Sequence, residues 1–439
     1  MMISGPAKLG LSLPRRGALL GKRKTVANAP APVDQTAPYL VNSNAIWTWF
    51  GQPIALRAGD FTFSGGVSSA GTISAHIIDH ASSNAVSTVQ LSSTALEVDD
   101  HDQPQFCVLP SGNIFAAYGK HNDEASRYRR CTNPADPGNS ASWTAEAWVG
   151  SQSQGMFSYA SPMVFPADTS KLYVISRRWV LASPSTRALS FRSATNYDTG
   201  SPTWTLSTDL FKVENRIPYW KLRQVGSVVH VAITNMHPVE GASSLYYFRL
   251  MHNGTGLEAR LPDGTLITAG VPITNTDCSL VADGSSTRVW VLDVAEGADG
   301  RPRILYTRYP GNDGSAIEYW YARWADTEWV KTKIADDGAG LYDPEMYYPG
   351  GGCFNANNPL RMCLSTPISG VRQIVEYETS DEVTWTVRRQ ITSGGSAGNP
   401  LKFRPISPVN HDSRAAYLYL SGTYTTFVNY STASYAVVG

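Results

Sequence analysis

The chain has 439 residues, with 36 basic against 36 acidic, so no net charge steers it toward nucleic acid or an anionic membrane surface. Hydrophobic residues make up 42% and charged residues only 16%, with 22 Tyr, 12 Trp and 37 Gly. This composition excludes a disordered or coiled-coil chain and fits a globular β-protein rich in turns and aromatic rings.

Residues 1–35 differ from the rest of the chain. Their apolar run Leu9–Leu13 is short, and Arg15, Arg16, Lys22, Arg23 and Lys24 interrupt any continuation. A secretory leader needs a longer apolar stretch, and nothing in the chain approaches the ~20 apolar residues of a membrane span. Ala29-Pro30-Ala31-Pro32 reads as an extended linker. The expectation is a flexible basic tail or anchor over 1–35, then one folded catalytic unit over 36–439. The Gly10–Pro14 stretch is similar to short N-terminal segments of phage virion and tail-associated proteins, which implies a virion or tail assembly as a partner. The competing location is secretion without a recognisable signal peptide.

From about Asn44 the chain reads as strands and turns, with no long helical period. Hairpin signals centre near positions 58, 111, 168, 228, 284, 357 and 412, at spacings of 53, 57, 60, 56, 73 and 55. A period in that range is one four-stranded propeller blade, so the prediction is an all-β, seven-bladed β-propeller. The 73-residue interval contains Gly350-Gly351-Gly352 and is assigned to an inserted loop. Asp198-Thr199-Gly200-Ser201-Pro202-Thr203-Trp204 resembles the Asp-box turn of sialidase-type propellers. Weaker copies lie at Asp136–Trp143, Asp326–Trp329 and Asp381–Trp385. Their expected role is structural, with Asp capping a turn and Trp filling space between sheets.

Three of the hairpins place chemistry at their open ends. His101 and His121 each lie ten positions from Ser111. Tyr159 and Arg177 each lie nine from Asp168, and Tyr219 and His237 each lie nine from Val228. Paired strands bring such residues within ~5 Å of one another. Arg177 competes with Arg178, because a one-residue slip exchanges the faces of a strand; the symmetric spacing favours Arg177. His230 and His252 fall at no open end and are read as structural. The five cysteines, at 107, 131, 278, 353 and 363, are odd in number and form no CxxC pair, so they are read as mostly buried free thiols.

The motifs Asp99-Asp100-His101-Asp102-Gln103-Pro104, Tyr118-Gly119-Lys120-His121, Ser158-Tyr159-Ala160-Ser161-Pro162, Leu172–Arg177 and Thr234-Asn235-Met236-His237-Pro238 together resemble the BNR-4-type propellers. That group includes ulvan lyases and related rhamnosyl-glucuronate lyases. The similarity continues through Leu364–Ile368 and Ser421–Thr426, covering roughly residues 44–430. It implies a seven-bladed propeller that cleaves a uronate-containing polysaccharide by β-elimination. It further implies that His101 and Tyr159 are the acid/base pair, with Arg177 at the substrate carboxylate. His121, Tyr219 and His237 are implied to line the canyon.

Elementary chemistry agrees with these roles. The C5 proton of a uronate is a very weak acid until its carboxylate charge is neutralised. A permanently charged Arg177 can pair with that carboxylate in two-pronged fashion and stabilise the enolate. His101, with an ordinary pKa of ~6.5, can take a proton, and Tyr159 can protonate the departing oxygen. Which of the two is the base depends on the C5 configuration of the sugar. Lys221 and Arg223 beside Tyr219 would suit an anionic, carboxylated or sulfated polymer. Met236 stands where the family often carries an acidic or amide-rich turn, so the polymer itself stays open. The expected partner is an anionic polysaccharide, with no nucleic acid and no membrane. No cofactor is required; a structural divalent metal stays open, with no strong ligand spacing to support one. The alternatives are a sialidase-like glycoside hydrolase and a non-catalytic carbohydrate-binding propeller.

Overall fold

Short runs rich in Val, Ile, Tyr, Phe and Trp alternate with turn residues, and in the computed structural model they pair into seven antiparallel sheets. The structure describes residues 37–439 apart from 181, 182, 184, 344 and 397–399. The tail expected at residues 1–35 lies outside the described residues.

Each sheet is one blade, named here by its innermost strand. Blade 1 starts with Ala55–Ala58, blade 2 with Gln105–Val108, blade 3 with Phe157–Phe165 and blade 4 with Tyr219–Val225. Blades 5, 6 and 7 start with Val289–Glu296, Gly352–Asn355 and Leu401–Ile406. The innermost strands are buried on both faces, as in Val289, Trp290, Val291 and Leu292, all at 0% exposure. That is why they read as continuous apolar runs without strict alternation.

The ring closes by sharing. Strand Tyr39–Asn42, the first strand among the described residues, pairs with Asn429–Val437 at the edge of blade 7. Leu56 of blade 1 bridges Val409 of blade 7, with Val409 N donating to the Ala55 carbonyl at 3.0 Å. Closure removes free sheet edges at the seam.

The seven-blade expectation holds, but two assignments need correction. Asp283-Gly284-Ser285 is not a blade hairpin. It joins blade 4 to blade 5, and a Cβ on Gly284 would lie 1.8 Å from the Ser243 carbonyl oxygen, so glycine is what allows this close approach within blade 4. Blade 5 turns instead between Glu296 and Pro302. Likewise Gly350–Gly352 is not an insertion. It leads into the first strand of blade 6, where Arg404 N donates to the Gly350 carbonyl at 2.6 Å. The extra length sits in blade 4, where both Leu257–Arg260 and Ser279–Ala282 pair with Leu245–His252.

The Asp boxes are structural. Asp198 accepts from Ser111 N at 2.9 Å, clasping blade 3 to the turn of blade 2. Asp381 caps its own turn through Thr384 N at 2.7 Å, and Trp385 stands edge-on to Tyr321 of blade 5. All five cysteines are free, four of them buried.

One segment fills the axis. Trp47, Thr48, Trp49 and Phe50 are at most 1% exposed. Trp49 Nε1 donates to the Val291 carbonyl and Trp47 Nε1 to that of Arg404. Trp49 and Phe50 meet Trp290 at 5.2 Å each, and Phe50 meets Tyr219 at 4.6 Å and Tyr159 at 5.6 Å. Burial of each of these rings stabilises the fold by roughly 2–3 kcal/mol. The result is an aromatic plug between the two mouths of the propeller.

Candidate active site

His101 sits in a single 3-10 turn, Asp100–Asp102, just before the first strand of blade 2. The turn forms because Asp99 caps it, its carboxylate accepting from His101 N at 2.9 Å. The same carboxylate continues to the side chains. Asp99 Oδ1 lies 2.5 Å from His101 Nδ1, and Asp99 Oδ2 lies 3.2 Å from His121 Nδ1. Asp100 Oδ1 lies 3.0 Å from the same His101 nitrogen. His121 follows the second strand of blade 2, its backbone N–H donating to Glu97 Oε1 at 2.8 Å.

Arg177 reaches the pair from blade 3. Its Nη2 donates to His121 Nε2 at 2.9 Å. A guanidinium has only donors, so His121 Nε2 accepts and its proton resides on Nδ1. Arg177 Nε donates to Ser158 Oγ at 3.1 Å, and its guanidinium carbon lies 4.6 Å from the Tyr159 ring and 5.0 Å from that of Tyr219. Arg178 faces elsewhere, forking onto Asp209 at 2.7 and 2.8 Å. The choice of Arg177 over Arg178 therefore agrees with the observed register.

The reason Arg177 and Tyr159 meet differs from the expectation. Ser158, not Tyr159, pairs with Arg177, and the register slips between Ser158 and Ser161. Tyr159 occupies this bulge with φ of 59°, a left-handed conformation that costs a non-glycine residue roughly 1–2 kcal/mol. The bulge aims its ring inward, 5.6 Å from the His101 ring. In blade 4 the hairpin centres on Gly226-Ser227 rather than Val228, because Gly226 supplies the positive φ of 56°. Tyr219 thus pairs with Thr234. His237 lies three residues farther on, capping the 3-10 turn Pro238–Glu240 through Nδ1 to Val239 N at 3.0 Å. It still reaches the cluster, 5.5 Å from Tyr219 and 4.4 Å from Trp290.

Lys221 does not join the cluster. It is 2% exposed, its Nζ donates to the Trp49 carbonyl, and burial lowers its pKa to about 8. Arg223 is buried still farther along the strand, toward Asp293. Neither presents its charge beside His101. His230 and His252 are structural, His230 bonding Tyr247 and Glu296, and His252 facing Asp168.

Electrostatics separates the histidines. Burial pulls His101 down, yet Asp99 and Asp100 outweigh it and hold its pKa at about 9. Burial and the neighbouring His101 charge push His121 down to about 4, against the pull of Asp99. Burial, then Arg177 and His101, push His237 down to about 3. At neutral pH one imidazolium, His101, therefore faces two neutral imidazoles. Burial raises the Tyr159 phenol well above its ordinary value despite Arg177.

Tyr159 Oη and Arg177 Nη1 are among the buried polar atoms without a hydrogen-bond partner among the described residues, as are both Asp102 carboxylate oxygens and Arg404 Nε behind them. Buried polar groups are ordinarily satisfied, and each that is not calls for an explanation, such as strain, a catalytic role or a bound water or ion. Behind His101, Arg404 donates to Asp100 Oδ2 at 2.5 Å and to Tyr424 Oη at 2.7 Å, and Tyr424 Oη donates to the same Asp100 oxygen at 2.7 Å. Asp99, Asp100, Arg404 and the aromatic plug were not expected from the sequence as parts of the site. The run Trp47-Thr48-Trp49-Phe50, aromatic but without a hairpin turn, was the available signal for the plug. Asp99, His101 and His121 also place one ligand atom each within 4.8 Å of one another, so these three are the residues that could hold a divalent ion. Their donors are already engaged with one another, and the Arg177 cation lies against His121, which disfavours a second cation there.

The profile of the BNR repeat-containing family matches residues 69–337, more than half of the chain. The chain belongs to that family. No match was found among curated proteins. Among solved structures, this BNR repeat-containing protein resembles a polysaccharide lyase, a PL25 ulvan lyase bound to -[GlcA(1-4)Rha3S]-, with a TM-score of 0.66 at 12% identity, over 92% of this chain and 96% of that one. It also resembles polysaccharide lyase Uly1, with a TM-score of 0.54 at 11% identity, over 91% of this chain and 93% of that one. At such identities the likeness establishes that this BNR repeat-containing chain shares their fold.

Proposed function

We propose that this protein is a polysaccharide lyase that cleaves a uronate-containing anionic polysaccharide by β-elimination, leaving a 4,5-unsaturated uronate end. The observation that carries the reading is the convergence of unpartnered Arg177 Nη1 and Tyr159 Oη beside the His101–His121 pair.

In this reading Arg177 Nη1 takes the uronate carboxylate and stabilises the enolate that forms when C5 loses its proton. His101 is the base. Its Nδ1 is committed to Asp99 and Asp100, so Nε2 is the nitrogen left for the sugar. A base of pKa about 9 is stronger than an ordinary histidine, at the cost of a smaller free-base fraction at neutral pH. Tyr159, held as a neutral phenol, donates its proton to the departing C4 oxygen as the C4–O bond breaks and C4=C5 forms. His121, Tyr219 and His237 shape the pocket. Both unpartnered atoms are closed off from solvent, so a sugar reaches them only when a neighbouring side chain moves. Phe427, a half-buried ring, stands edge-on to both imidazoles at 5.4 and 6.2 Å. No cofactor enters these steps.

The sulfated disaccharide on the ulvan lyase of like fold makes a sulfated, ulvan-like polymer the first substrate to test. The place of action proposed is outside the cell, on a phage-borne particle or after secretion. The experiment is a panel of uronate polysaccharides followed by the ultraviolet absorbance of the conjugated product. A rise with at least one polymer, absent in His101→Ala, supports the proposal. New reducing ends without absorbance point to a hydrolase, and binding with neither points to a carbohydrate-binding propeller; each overturns it.

A further inference from the structure

The inner strands run away from the candidate active site, from Tyr159, Tyr219 and the His101 turn toward their hairpins. At that far mouth, beyond the aromatic plug, six of the blades enclose a cavity of about 420 Å3. That size lies within the range of small-molecule sites. Its walls are largely apolar, including Val108, Met163, Val225 and Val409, and two arginines, Arg57 and Arg223, line it.

Neither arginine has a carboxylate to itself. Arg223 is 7% exposed, yet Asp293 is 3.7 Å away and the side-chain hydrogen bond from its Nε to the Val294 carbonyl is 3.4 Å long. Asp293 already accepts from the backbone N–H groups of Val294 and Phe354, both at 2.9 Å. Arg57 lies 3.5 Å from Asp412, which Arg414 already holds at 2.6 and 3.0 Å. Arg57 Nε has no partner among the described residues, although the Arg57 side chain as a whole is 28% exposed at the rim. For Arg223, a buried cation paired this loosely is costly unless a further anion completes it.

We propose that this far mouth is a second binding site, taking a small organic carboxylate with an apolar body, its charge between Arg57 and Arg223 and its body against the valines. The apolar walls favour an aryl or alkyl body over a sugar, and the two arginines that line the cavity favour an anion. The site is separate from the candidate active site, because none of His101, Tyr159 and Arg177 lines it.

Isothermal titration calorimetry of the full chain with 2-naphthoate, and with its neutral counterpart 2-naphthylmethanol, tests the proposal. Saturable binding of one naphthoate per chain is expected, at least tenfold tighter than the alcohol. Arg57→Gln is expected to weaken it at least tenfold. Because Arg223 is buried and its replacement risks the fold, the second variant is Val108→Trp, at a position 42% exposed on the rim, where the added ring fills the cavity. This variant is expected to abolish binding while the far-ultraviolet spectrum stays unchanged. No saturable binding to the wild type, equal binding of the alcohol, or full affinity in folded Val108→Trp would each overturn the assignment.

Discussion

The imidazoles of His101 and His121 lie face to face, 4.0 Å between ring centroids and 3° between planes, and Asp99 offers one oxygen to each. Two stacked rings at this distance do not both carry a proton charge, so the pair titrates as a unit holding one extra proton. The carboxylates place that proton on His101.

Asp99→Asn should separate tautomer control from simple burial. The amide oxygen can accept from one Nδ1–H, while the amide nitrogen cannot accept from the other. Loss of the charge also lets His101 titrate at lower pH. The expected result is a fall in kcat of roughly 10- to 100-fold. The rising limb of kcat/KM, expected near pH 9 in the wild type, should move down in pH. An unchanged pH profile would remove Asp99 from the site.

Arg177→Lys should fail to support turnover. A single ammonium cannot donate to His121, Ser158 and a substrate carboxylate at once, as the guanidinium fork can. Arg178→Lys, whose arginine is engaged with Asp209, should keep most of the activity. Measured side by side on one polymer, equal losses would contradict the assignment.

Arg404→Met should destabilise the whole propeller. Arg404 and Asp100 are both 0% exposed, and removing one partner strands the other charge in the interior. The expected loss is about 3–5 kcal/mol in urea unfolding. A double change, Arg404→Met with Asp100→Asn, should recover part of it.

Acid should weaken the fold through a buried histidine. His76 is buried and its pKa is lowered to about 4 by that burial alone. The unfolded chain takes up the proton near pH 6.5 while the folded chain refuses it, so stability falls as pH drops from about 6.5 toward 4. The contribution is on the order of 3 kcal/mol, from about 1.4 kcal/mol per unit. His101 has the opposite sign: its raised pKa stabilises fully below about 6.5 and is lost as pH rises through about 9. Urea midpoints across pH should therefore peak near pH 6–7, and His76→Leu should flatten the acid side.

Removing residues 1–35 should leave elimination activity intact, because the ring closes through Tyr39–Asn42 against Asn429–Val437. Activity of the shortened chain on a soluble polymer checks this, and a loss would mean the segment belongs to the fold.

The blade count was legible in the chain because each blade repeats the same local code, an apolar run, a Gly/Asp/Asn turn and a second run, and such a code needs no distant partner. The same symmetry pointed to His101, His121, Tyr159, Arg177, Tyr219 and His237. It erred in detail where local backbone departed from a regular ladder, at the Tyr159 bulge and at the Gly226 turn, since one residue in a bulge is invisible to counting. It erred at Lys221, whose side chain is drawn to the Trp49 carbonyl of the axial plug. What tertiary structure alone decided is the electrostatics of the site. Arg404 lies 304 positions from the Asp100 it neutralises, and the plug meets Val291 across 242. Only closure of the ring brings these groups together, and the pKa of His101 depends on charges that no stretch of sequence contains in one place.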